Sequence, residues 1–408
     1  MTPPEIIRFV SDGFERAKAG NAAEVYAQVT DFHNRGMLER RSHYAYGWII
    51  YYALHQAPAY EIEQRKHMLA RYLNLETPRP HKLHSMILTQ AIRLHKDAAE
   101  QAYIARQKGT TSPAFSIIRF SDLWNLANLR EGDWRRKEAD GKMMNSTVEK
   151  FITCYVNELE SSRRPAPPHF KNLMEDARKK YADSASFLSQ LATIHELEGD
   201  VENAIAHLRA ALLSTQSRFF LWSRLAMLVD KEKEIKLHIA LLHKAASSPG
   251  QEDFKGKIRL ALAEAWASIK AYPQALYELN AMREIYQRNG WHLSARVSEL
   301  EKRIPAGTVA SNPAAAYKRV VPLAEDFIFS AIPEIKVTKN YHKNGGEATD
   351  KFGNKRMQPA AWRVSDSEQH NYWLTPTRFG IDDSLPIGTP LAVRIHNGKI
   401  VKAKEWTD

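Results

Sequence analysis

Glu334 and Lys336 stand two residues apart in the stretch IPEIKVTK, with Asp326 upstream. Residues spaced by two share one face of a strand. A carboxylate and an amine placed so can hold a divalent ion and neutralise a cleaved phosphate, as a metal-dependent nuclease requires. Alternating charges on a solvated strand account for the same letters. A second chemistry pairs aromatic faces with cations. Trp134 is followed by Arg135, Arg136 and Lys137. Further on, Tyr341, His342, Lys343, Lys355, Arg356, Trp362, Arg363, Tyr372, Trp373, Arg378 and Phe379 interleave rings with charge. Such faces stack bases and neutralise phosphates of a single strand. The plainer readings are a helix-start tryptophan covered by arginine stems and aromatics consumed by the core of a small barrel.

Other chemistries lack their parts. There is no glycine-rich phosphate loop, no His-Glu-x-x-His and no Gly-x-Ser-x-Gly nucleophile turn. His195 opens HELEGD, but the second histidine is missing. His81 and His84 lie one helical turn apart, and two exposed histidines explain them more simply than a metal does. The single cysteine, Cys154, sits in the apolar helical stripe EKFITCYVNEL and reads as core. No disulfide, metal or cofactor is expected, and an enzyme is less expected than a binding protein.

The 408 residues exceed one ordinary core and suit several domains or a repeat array. Lys and Arg exceed Asp and Glu by 11, which permits contact with phosphates or acidic surfaces. The excess is spread along the chain, and residues 318–408 carry only +3. Neither a secretory signal nor a run of apolar residues long enough for a membrane span is apparent. A cytoplasmic location, with no membrane contact, is the expectation.

The elements that must position these residues are mostly helical. From residue 1 to about 304 apolar residues recur at spacings of three and four, interrupted by breakers such as LETPRPH, KGTTSP and RRPAPPH. In LATIHELEGDVENAIAHLRAAL, Ala192, Ala204 and Ala211 alternate with Leu191, Leu208 and other large residues around Gly199. Small residues let two antiparallel helices approach closely, and large neighbours fill the gaps. The order returns around Trp222, Leu225, Ala226, Leu242 and Ala245, and again around Leu262, Ala263, Trp266, Ala275 and Leu279.

This segment, about 185–290, resembles the tetratricopeptide repeat. Its turns at 199, 233 and 270 are 34 and 37 residues apart, against the family period of about 34. His195 stands where the family has a large aromatic, Lys233 replaces the turn glycine, and His238 replaces a small residue. The expected fold is mainly α: a tetratricopeptide-like helical-hairpin solenoid followed by a small β-rich, barrel-like domain. The expected divisions are an all-helical region 1–160, repeats 161–304, a linker and connecting helix 305–332, and the β domain 333–408. Asn397-Gly398 predicts a hairpin joining strands near 391–396 and 399–405. KNGGEA and KFGNKR add turn signals.

The resemblance implies that first-helix residues line a groove for a protein or peptide. By position these are Ser189, Thr193 and Glu196, then Ser223, Met227 and Asp230, then Leu260, Glu264 and Ala267. A protein-binding adaptor is therefore the leading expectation. A single-stranded nucleic-acid binder using the β module is the alternative, and a nuclease at Asp326, Glu334 and Lys336 the third. Partner identity and oligomeric state are not written in the chain.

Overall fold

The computed structural model describes residues 1–56, 61–107, 110–182, 184–330, 332–343, 345–349, 355–396 and 398–406. They form two compact units, Met1–Asp176 and Ala177–Asp408.

In the first unit α1 (Pro3–Arg16) runs through a π turn at Ala17–Asn21 into α2 (Ala22–Asn34). Then follow α3 (His43–Gln56), α4 (Ile62–Leu73), α5 (Lys82–Gln107) and α6 (Ile117–Trp124). The sequence of α3, HYAYGWIIYYALHQ, is apolar almost all round, and α1, α2, α4 and α5 all pack on it. One short departure from the helical expectation follows: β1 (Lys137–Ala139) pairs with β2 (Lys142–Met144). Asp140 and Gly141 both take positive φ, 51° and 71°, as a two-residue hairpin turn demands. Next comes α7 (Thr147–Ser162), capped by reciprocal bonds between Ser146 and Glu149. Cys154 is buried in α7, where desolvation pushes its thiol pKa up. Tyr155 stacks at 3.8 Å on Phe170 of α8 (Pro168–Tyr181).

The second unit begins with three helical hairpins: α9 (Ala185–Leu197) with α10 (Val201–Ser214), α11 (Phe219–Leu228) with α12 (Ile235–Ser247), and α13 (Gly256–Ser268) with α14 (Tyr272–Arg288). Ala192, Ala204, Ala211, Ala226, Ala245, Ala263 and Ala275 are all fully buried at their seams. The first turn uses Gly199 at φ 77°, and the third places Lys270 in the same left-handed region. The second is closed instead by Asp230, whose carboxylate accepts from the amides of Glu232 and Lys233. The unusual histidines find partners. His195 meets Asp200 at 3.1 Å. Buried His238 meets the Ala226 carbonyl at 2.8 Å, an acceptor in the last turn of α11 that has no helical donor.

After α15 (Ala295–Arg303), α16 (Ala314–Phe329) lies against α12 and α10. The sheet follows in the order β7-β6-β3-β8-β9, antiparallel throughout. Its strands are β3 (Glu334–Lys343), β6 (Ala361–Ser365), β7 (Asn371–Leu374), β8 (Pro390–His396) and β9 (Lys399–Glu405). A separate pair, β4 (Gly346–Thr349) and β5 (Lys355–Gln358), extends the excursion between β3 and β6. Gly398 takes the positive φ expected of the β8–β9 turn, while Asn397 lies outside the described residues. So do parts of the KNGGEA and KFGNKR signals. Val337, Trp362, Val364, Leu374, Leu391 and Val393 form the core of the sheet. The sheet curls until β7 and β9 approach without hydrogen bonding, so it is a half-barrel rather than a closed one. The α10–α11 turn meets β9, where the Gln216 amide donates to the Val401 carbonyl at 2.9 Å.

Glu325 of α16 ties the parts of this unit together, accepting from Lys244 of α12 at 2.8 Å and pairing with Lys402 of β9 at 2.9 Å. Burial pushes its carboxyl pKa up, but the two ammonium groups outweigh this and hold it below the ordinary value. Arg394 of β8 donates to the Ile332 carbonyl and to the Phe329 carbonyl, which also accepts from the Ile332 amide just past the end of α16. Among the described residues no helix is long and apolar enough to cross a membrane.

If close approach sets the hairpin geometry, Ala204→Leu overpacks the first seam and costs about 1–3 kcal/mol. Ala206→Leu, on the exposed side of the same helix, changes stability by less than about 0.5 kcal/mol. Denaturant midpoints of the two variants make the comparison.

Candidate functional site

The first-helix face of the hairpins is largely occupied by the chain itself. Ser189, Thr193 and Glu196 lie along one side of α9, and Arg224 of α11 reaches across to all three. Its Nη1 donates to the Ser189 hydroxyl at 2.8 Å and carbonyl at 3.1 Å. Its Nη2 donates to the Thr193 hydroxyl at 2.9 Å and to Glu196 at 2.5 Å. Ser189 and Thr193 are buried by this arrangement. These three therefore join one hairpin to the next instead of facing a groove. Arg224 is outside the positions that the repeat resemblance marks; its signal in the sequence is the polar stripe Ser-Thr-Glu on an otherwise apolar helix.

Further along the face, Leu260 and Ala267 are buried. Glu264 holds Arg296 of α15 through two bonds of 3.0 and 2.6 Å. Asp230 is exposed, but its carboxylate closes the α11–α12 turn and pairs with Lys233, which keeps its pKa low. Ser223 is half-buried. Met227 alone of the predicted groove residues offers a large apolar side chain to solvent, at 56% exposure.

The sheet divides its cation–aromatic residues between two faces. Trp362 is fully buried, with the Lys339 ammonium 4.0 Å from its ring centre. A base cannot reach it. Lys339 is itself buried, donates to the Leu385 carbonyl, and has its pKa lowered by desolvation. On the opposite face, Tyr341 pairs across β3–β6 with Arg363, and Arg363 pairs across β6–β7 with Trp373. Tyr341 and Trp373 are 51% and 61% exposed, with ring centres 6.4 Å apart and planes at 87°. Between them, Arg363 is exposed and oriented by Asn371 at 2.9 Å. The alternation of the pleat separates Trp362 from this row by one residue. Tyr372 is half-buried and donates to Asp366. Arg378 is exposed over the Phe379 ring. Lys355 and Arg356 lie on β5, and their side chains are outside the described ones.

In the first unit, Trp134 is half-buried. Arg135 pairs with Glu131, and Arg136 forks onto buried Glu149. That fork anchors the start of α7. His84 corrects the expectation of two exposed histidines: it is buried, between the Tyr72 hydroxyl at 2.7 Å and the Pro78 carbonyl at 2.9 Å. His81 meets Tyr44 instead.

The nuclease residues do not assemble into an ion site. Glu334 lies between Arg394 and Lys404, at 3.8 and 3.4 Å. Lys336 stands over the Trp406 ring, and Asp326 is an exposed residue of α16. Among the described residues no three His, Cys, Asp or Glu side chains are grouped to hold a metal.

Arg224→Ala removes five donors from a half-buried polar cluster and is expected to cost about 2 kcal/mol, whereas Arg224→Lys recovers part of it. Chemical denaturation of both variants measures the difference.

A protein-family model described as a domain of unknown function (DUF7017) matches residues 190–324, from within α9 to within α16. No curated protein matches the chain.

Proposed function

We propose that this chain is a tetratricopeptide-type scaffold that docks a protein or peptide partner on the first helices of its hairpins. The observation that carries the reading is Met227, held more than half exposed, with Phe220 two turns earlier on the same face of α11 also exposed. A flexible, polarizable thioether suits contact with apolar side chains of a partner. With Ser189, Thr193 and Glu196 closed by Arg224, the contact surface centres on α11 and α13. A photo-cross-linking residue placed at 227 captures a partner in cells, and one placed at 206 does not. Met227→Glu lowers partner recovery by about tenfold at moderate salt. Equal cross-linking from both positions sinks the proposal.

The row Tyr341–Arg363–Trp373 favours a second reading, single-stranded nucleic acid on the outer face of the sheet. Two exposed rings flanking a guanidinium match what a strand needs for stacking and charge neutralisation. Fluorescence anisotropy with labelled single-stranded RNA and DNA at two salt concentrations tests it. Affinity falls steeply with salt, and Trp373→Ala costs about 1–3 kcal/mol. Absence of binding at low salt eliminates this reading.

A further inference from the structure

A cavity of about 530 Å³ lies where α16 crosses α12, α13 and α14, within the usual size of a small-molecule site. Its base is a polar network in which Arg259 Nε and His243 Nδ1 are buried without a protein partner. Glu278, fully buried, accepts from the Tyr317 hydroxyl at 2.6 Å and from Arg259 Nη1 at 2.8 Å. The Trp266 indole donates to the same hydroxyl at 3.2 Å. His243 stacks on Tyr317 with ring centres 3.7 Å apart. Burial lowers the His243 pKa to about 4, so the ring is neutral near pH 7.

What remains open in the lining is a set of donors. Arg259 is held only through Nη1, leaving the rest of its guanidinium without a protein acceptor among the described residues. Lys318 is exposed at the rim with no acidic partner there. Asn312 uses its carbonyl oxygen on the Ala314 amide, which leaves its NH₂ group available. The single carboxylate of the lining, Glu278, is already doubly engaged. Pro313, Val321 and Pro322 supply an apolar wall beside these donors.

We propose that this cavity binds a small organic oxyanion, its acidic head between Arg259 and Lys318 and its apolar body along Pro313, Val321 and Pro322. Carboxylate and phosphate heads share the chemistry, since a guanidinium and an ammonium serve either. The site is separate from the surface around Met227 and does not depend on the docking reading.

Isothermal titration of the full chain with benzoate, phenyl phosphate and benzyl alcohol tests the assignment. At least one of the two anions binds with Kd of about 1 mM or below, and benzyl alcohol binds about tenfold more weakly. Which anion binds separates a carboxylate ligand from a phosphate one. Lys318→Glu, a change on an exposed side chain, weakens the anion by about tenfold. Arg259→Gln strands the buried Glu278 carboxylate and can unfold the unit, so Lys318→Glu carries the decision. No binding of either anion up to about 10 mM, equal binding of the alcohol, or unchanged affinity in Lys318→Glu overturns the proposal.

Discussion

Two helices can lie side by side at short range only where side chains at the seam are small enough to admit the neighbouring backbone. The second unit rests on that constraint. Ala204, Ala211, Ala226, Ala245, Ala263 and Ala275 have no measurable exposure, and the large residues beside them interlock because the helices are close. Once the hairpins pack this way, their outer faces are set at fixed spacing. Arg224 can then span from α11 to three polar groups on α9, and α16 finds a continuous bed on α10 and α12.

Part of the charge sits at joints between elements. The chain carries 58 Lys and Arg, yet several of them hold elements together. Arg224 joins hairpins, Arg394 ends α16, Arg136 anchors α7, and Lys244 with Lys402 shares Glu325. Each satisfies acceptors that burial would otherwise leave costly. A basic composition thus says little about a phosphate-binding surface until paired cations are set apart from open ones. Arg363 and Lys318 belong to the second kind, and each lies beside a feature suited to a ligand.

The sheet applies the same logic to aromatics. Trp362 and Trp373 are both tryptophans among cations, but strand pairing sends one into the core beneath Lys339 and the other to solvent opposite Arg363. The sheet is not closed, and Gln216 from the α10–α11 turn donates to the Val401 carbonyl of β9.

Periodicity alone determined the helical hairpins of 185–290, the strands of the β8–β9 hairpin and the apolar placement of Cys154, because these depend on local spacing of small, large and turn residues. The β1–β2 hairpin departs from the helical expectation, because three-residue strands are too short for a pattern to register. Tertiary structure decided the rest. Ser189, Thr193 and Glu196 looked like a groove until Arg224, 28 to 35 residues away, was seen to reach them. Glu278, Arg259 and Tyr317 come from three helices and share no motif. Their meeting depends on how α16 crosses the hairpins, and no local spacing encodes a crossing between distant elements.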